Sequence, residues 1–311
     1  MKELSITFEV MMPMILLLSA GILLRRIGWI KPETAANLNR LIFRFLLPIM
    51  VFNNMRGIDV SSFPDPAFLL FLFISILGVF LVTALIVPVF VKDRRKKGVM
   101  IQGIFRTNFA VLGVTLLQSM FGAEGILYYS LALPVVIPMN NILAVLALSD
   151  CGENKTDKKK IFTNVLTNPL IIGCVLGALF LLLKIPVPYV IDTALNNLAG
   201  ITGTLSLLVL GASLRWGSVH KNRSYILWTL LAKILWAAMI MVVAVLAGFT
   251  GKQLGVIIVL FGSPCAVSSF PMADAMGGDG ELAAGQVAFS TVFCMPVLFV
   301  MIWAGKLLAL L

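Results

Sequence analysis

The sequence predicts an all-α membrane protein of ten transmembrane helices, built as a five-plus-five inverted repeat with the fourth and ninth helices broken. Three observations predict it. Of 311 residues, 60% are apolar and only 12% charged, against about 45–50% and about 25% in soluble domains. Ten apolar runs can be drawn, each near the roughly 20 residues that cross a hydrocarbon core about 30 Å thick. The sequence also aligns with itself at a shift of 156 residues, without a gap over several spans. Composition alone excludes a soluble enzyme, a secreted disulfide scaffold and a disordered tail, because a water-soluble fold cannot hide this much apolar surface.

The spans fall at 6–24, 35–55, 66–91, 98–120, 124–148, 164–184, 190–214, 224–248, 253–274 and 281–308. The first reads as a retained span and not a signal peptide. Its start carries Glu3 and Glu9 beside Lys2, and its apolar run ends in Arg25 and Arg26 with no small-residue cleavage site. The second and seventh are the least apolar and are expected inside the bundle. Residues 1–148 form the first repeat, 149–163 a basic cytoplasmic linker that reads as an orienting solvated loop, and 164–311 the second repeat.

Lysine and arginine orient the chain. One side collects Arg25, Arg26 and Lys31; Lys92, Arg94, Arg95, Lys96 and Lys97; Lys155, Lys158, Lys159 and Lys160; and Arg215, Lys221 and Arg223. The other has Lys2, Arg56, Lys184, Lys252 and Lys306. By the positive-inside bias the first set is cytoplasmic, which puts both termini outside a plasma or inner membrane. The net charge of +10 therefore reads as topology and not as a nucleic-acid surface.

In the repeat register Pro13 falls on Pro169, Gly21 on Gly177, Phe105 on Phe261, Ala110 on Ala266, Met120 on Met276 and Gly122 on Gly278. An odd number of spans per copy turns the second copy upside down. Inverted repeats are a hallmark of secondary transporters, which place substrate near the midplane on paired broken helices. The fourth span carries Arg106, Thr107, Asn108 and Gly113; the ninth carries Gly262, Ser263 and Pro264, then Ser268, Ser269 and Pro271. These interruptions occupy equivalent positions.

Arg106 lies inside the fourth span, where a charge costs about 3 kcal/mol unless it faces a cavity or a partner. It reads as a bidentate clamp for a carboxylate, or as a structural partner for Glu9 or a helix carbonyl. Asn108 and Pro264 mark the break points, where a helix start offers free N–H groups to an anion. Asn140 and Asn141, after Pro134 and Pro138, line a pathway or cross-link helices, while Asn53 and Asn54 read as a helix end at the outer interface. Lys233 and Arg44 are intramembrane cations, able to attract an anion, to stand in for a coupling cation or to snorkel. Glu9, Asp274 and Asp279 are the few acids available for ion coupling, with the two aspartates expected in a loop. Gly173 and Gly177 permit close helix approach.

Other chemistries lack their parts. Cys151, Cys174, Cys265 and Cys294 show no metal-binding spacing, and the one histidine, His220, sits in a basic loop. Ser263 and Ser268 have no intramembrane histidine, which argues against a hydrolase. Met276 stands where a G-x-G-D aspartyl-protease motif needs its first glycine. No P-loop is present, so neither ATP hydrolysis nor a cofactor is expected.

At these residues the chain resembles the auxin efflux carrier family, in its bacterial malonate or malate permease-like form. Leu38, Asn39 and Arg40 before Pro48 resemble the family's second span, and Asn168 with Pro169 the opening of its sixth. Leu210 to Leu214 resemble the end of its seventh, Arg106 to Phe109 with Gly113 the fourth-span motif, and Pro264 the ninth-span crossover proline. The resemblance implies a crossover of broken helices, shaped by Gly113, Pro264 and Pro271. It implies a transport domain moving against a scaffold around helices two and seven, and a homodimer. Thr107 and Thr115 stand where plant carriers have prolines, and the short linker leaves no room for their long loop. A small organic anion such as malonate or malate is the expected substrate. A sodium- or proton-coupled carrier of another solute, such as an auxin-like acid, amino acid or sterol-like acid, is the alternative.

Overall fold

The computed structural model describes residues 2–57, 66–149, 151 and 166–311, with the side chains of residues 2–7 and 10 left aside. Lys155, Lys158, Lys159 and Lys160 of the expected linker lie outside the described residues. The described chain is all-helical, in twelve helices. They are α1 (Lys2–Arg26), α2 (Pro32–Arg56), α3 (Pro66–Phe90), α4 (Arg94–Phe105), α5 (Phe109–Phe121), α6 (Ala123–Leu148), α7 (Pro169–Leu182), α8 (Tyr189–Ser213), α9 (Trp216–Leu246), α10 (Gly251–Gly262), α11 (Ser269–Ala275) and α12 (Gly280–Leu307). Six of these, α2, α3, α6, α8, α9 and α12, are long and apolar enough to cross a membrane, and α5, α7 and α10 are shorter apolar helices.

Each of the ten apolar runs is helical. The fourth run is split into α4 and α5, and the ninth into α10 and α11. Helices open at Pro32, Arg94 and Ala123 in the first half and at Tyr189, Gly251 and Gly280 in the second, the same interval apart each time. Within α2 the residues Ile42–Leu46 form a π turn. Pro48 has no N–H for the carbonyl one turn back, and its ring crowds that carbonyl, so the ladder widens there. Arg44 sits in that turn and is exposed.

Apolar side chains gain nothing from leaving lipid, so helix association here depends on close contact. α1 packs on α8, and α2 on α7. A Cβ on Gly21 would lie 2.1 Å from the Leu208 carbonyl oxygen, and one on Gly211 would lie 2.1 Å from that of Leu18. On the other pair, Gly173 abuts the Pro48 carbonyl and Gly177 the Phe52 carbonyl. The Gly173 and Gly177 spacing is thus a packing surface. Gly21 and Gly177, which align in the 156-residue register of the sequence, each seat their helix on a backbone of the opposite half.

The expectation that α2 and α8 are buried inside the bundle holds only in part. α6 is the most buried of the long helices, while α2 and α8 are no more buried than α12. The polar residues that lowered their hydropathy face two cavities and the charged ends of the bundle. At one end Arg56 pairs with Asp192, beside Asn53 and Asn196, and Lys252 pairs with Glu124. At the other, Arg215 pairs with Glu281 and Lys96 lies 4.0 Å from Asp279.

Candidate functional site

The two breaks meet face to face. α4 ends at Phe105, Arg106 is extended (φ −79°, ψ 128°), and Asn108 leads into α5. α10 ends at Gly262, and Ser263 is extended (φ −64°, ψ 148°) because the ring of Pro264 disfavours helix in the residue before it. Thr107 and Cys265 form an antiparallel backbone bridge, and the Asn108 N–H donates to the Pro264 carbonyl at 2.9 Å. The fourth span therefore breaks without a proline of its own. Its freed N–H is taken up by the proline-made break opposite.

Two cations sit at the end of α4. Arg106 is 4% exposed, and its guanidinium donates to Asn141 Oδ1 at 2.9 Å and to Met272 Sδ at 3.1 Å. Lys233, on α9, is 2% exposed and donates to the carbonyl oxygens of Ile104 at 3.4 Å and Arg106 at 3.2 Å. It does not snorkel, because it is buried against the end of a helix whose last carbonyls have lost their intrahelical partners. Among the described residues, no carboxylate lies within ion-pair distance of either cation. The Cys265 thiol donates to the Gly103 carbonyl at 2.9 Å, and Ser290 Oγ accepts from the Cys265 N–H at 3.0 Å. The hydroxyl of Thr107, the amide oxygen of Gln102 and the hydroxyl of Ser269 are buried without a hydrogen-bond partner.

The other expected site residues divide. Asn141 joins Arg106, and Asn140 is buried beside it on α6. Ser263 turns its hydroxyl back onto the Val259 carbonyl of its own helix. Ser268 precedes α11 with a helical backbone and makes no side-chain cap, and Pro271 is buried within α11. Gly113 lies inside α5, beyond the break, where a Cβ would meet the Tyr129 ring at 2.7 Å; it makes room for packing there. Glu9 is exposed on α1, and the Arg106 guanidinium turns to Asn141 and Met272. Asp274 corrects the expected loop: it lies in the last turn of α11 and accepts a hydrogen bond from Asn39 of α2 at 2.7 Å. Asp279 caps α12 through the Leu282 N–H.

Two cavities flank this centre at opposite ends of one wall made by α1, α2 and α8. The first, about 190 Å³, is lined by Arg25, Asn39, Arg215, Phe270 and Asp274, among others. The second, about 470 Å³, is lined by Met14, Asn53, Asn196, Thr204, Ala110 and Val267, among others. α11 faces the first and the start of α5 faces the second. Arg106 lines neither: its guanidinium lies behind α11, against Met272. Sequence reasoning missed Met272, Met14, Asn39 and Cys265 as site residues. Asn39 was visible only as part of a three-residue resemblance, and sulfur side chains in apolar runs carry no signal beyond burial.

A family model described as membrane transport protein matches residues 6–302, nearly the whole chain. The chain belongs to this family, the auxin efflux carriers. No protein of curated function matches it. As a member of a family of membrane transporters, the carrier is a multi-pass membrane protein with several helices able to span the bilayer.

Proposed function

We propose that the chain is a secondary transporter that moves a small mono- or dicarboxylate, malonate and malate being the first candidates, by alternating access. The observation that carries this reading is the pair of cavities approaching the two helix breaks from opposite ends of the α1, α2 and α8 wall. A substrate held at the breaks is exposed to one side when the broken helices lean one way and to the other when they lean back. The buried, carboxylate-free Arg106 and Lys233 supply a positive field at that midpoint, and α5 begins there with its N-terminus beside the second cavity. Arg106 reaches a substrate once α11 and Met272 shift from over it. Thr107, Asn108, Pro264, Ser268 and Asn140 flank the same point.

In this reading the ten spans are an inverted repeat. The matched helix starts and the matched glycine contacts of α1 on α8 and α7 on α2 support it. The α1, α2, α7 and α8 group is the scaffold, and the protein works as a homodimer. The basic end faces the cytoplasm, with both termini outside. The test is uptake of labelled malonate and malate, with acetate and an aromatic acid for comparison, into liposomes holding the purified protein. Saturable uptake that unlabelled substrate competes is the expected result. No uptake or exchange of any carboxylate, with a neutral or cationic solute moved in its place, overturns the substrate class.

A further inference from the structure

The ammonium of Lys233 has an unusual set of partners. It is buried in the middle of α9, yet it meets no carboxylate among the described residues and spends its hydrogen bonds on two backbone carbonyls, Ile104 and Arg106. Those carbonyls belong to the end of α4, where the helix dipole is negative and the last C=O groups lack partners. The neighbouring Gly103 carbonyl is taken by the Cys265 thiol. In carriers with broken helices, such C-terminal ends and unwound carbonyls are where a coupling sodium ion or proton is held. Here that place is filled by a side chain.

We propose that Lys233 is a resident cation. It neutralises the C-terminal end of broken α4, and it makes the carrier independent of sodium because the position a coupling cation would take is already occupied. A generic packing lysine would not be expected to choose this end. In the repeat register the position equivalent to Lys233 is Leu77, on α3, so the second break lacks a matching cation. The charge answers a need of the first break alone. The assignment rests on the broken-helix carrier reading for its meaning, but its test reads cation occupancy and uses no substrate. Failure to transport carboxylates would therefore leave the result standing.

The test is thermal unfolding of the detergent-purified full chain and its Lys233→Ala and Lys233→Arg variants. Each is measured in choline, sodium and ethylammonium chloride at one ionic strength. The expected result is a wild-type Tm that is the same in sodium and choline. Lys233→Ala melts about 5 °C or more lower in choline and recovers saturably with ethylammonium or sodium, which enter the vacated place. Lys233→Arg keeps most of the wild-type Tm. A saturable rise of the wild-type Tm with sodium overturns the proposal, as does an alanine variant that melts like wild type or that no cation restores. If the alanine variant does not fold, the other two arms decide: an arginine variant that folds beside a sodium-blind wild type upholds the assignment, and any other pairing overturns it.

Discussion

The two helix breaks are equivalent in sequence register and unlike in chemistry. The second is made locally: Pro264 removes a donor and forces Ser263 out of helix, and the chain around it is neutral. Gly262 stands where the first break has Arg106, and Leu77 where it has Lys233. The first break has no proline and is held open by its surroundings. Lys233 covers the end of α4, the Cys265 thiol takes Gly103, and the Pro264 carbonyl accepts from Asn108. The two interruptions stand in one register of the sequence, and only the first carries charge. The lesson is that a broken helix needs a partner for each freed polar group, and that proline is only one way to arrange it.

Substitutions that even out the two breaks test this comparison. The largest effect is expected at Lys233. Lys233→Met leaves two buried carbonyls unpaired, each costing about 1–3 kcal/mol, whereas Leu77→Met at the equivalent place costs under about 1.5 kcal/mol. Thermal unfolding of the two variants side by side measures the difference, and equal losses would erase the asymmetry. Arg106→Ala is next: we expect carboxylate binding, read by ligand-induced thermal shift, to weaken at least about tenfold, or about 1.4 kcal/mol. Unchanged affinity in the folded variant would remove Arg106 from the binding site and leave it a structural cation under α11.

Pro264→Ala should lower the transport rate while changing stability by about 1 kcal/mol or less, because the carbonyl that serves Asn108 is retained and only the local stiffness is lost. A large fall in Tm without a change in rate would show that the proline acts through stability alone. Cys265→Ala has the smallest effect on transport. It leaves the Gly103 carbonyl without its thiol donor, costs about 1 kcal/mol of stability and should leave the substrate response intact in the same assay.

Much of the fold was legible in the sequence because bilayer thickness is a hard ruler. All ten apolar runs are helical, and the two expected interruptions are where α4 and α10 end. Proline made the second break readable one residue at a time. The first could be located only through its equivalent, since Thr107 and Asn108 do not by themselves end a helix. The burial of α2 and α8 was only partly legible, because several of the polar residues that lower their hydropathy face cavities and bundle ends. The site was less legible. Residue type identified Arg106 and Lys233 as intramembrane cations, but what each donates to depends on α9, α6 and α11 arriving from elsewhere in the chain. The pairing of Asn39 with Asp274 joins residues 235 apart in sequence, and no local pattern announces it.

The single rung between Thr107 and Cys265, with the adjoining bond from Asn108 to Pro264, stitches the midpoints of the two half-chains together by their backbones. Side-chain contacts can slip by a rotamer, but a backbone rung must either hold or break. A displacement of one interrupted helix would therefore be handed directly to the other, so the two form one stiff bar and not two independent levers.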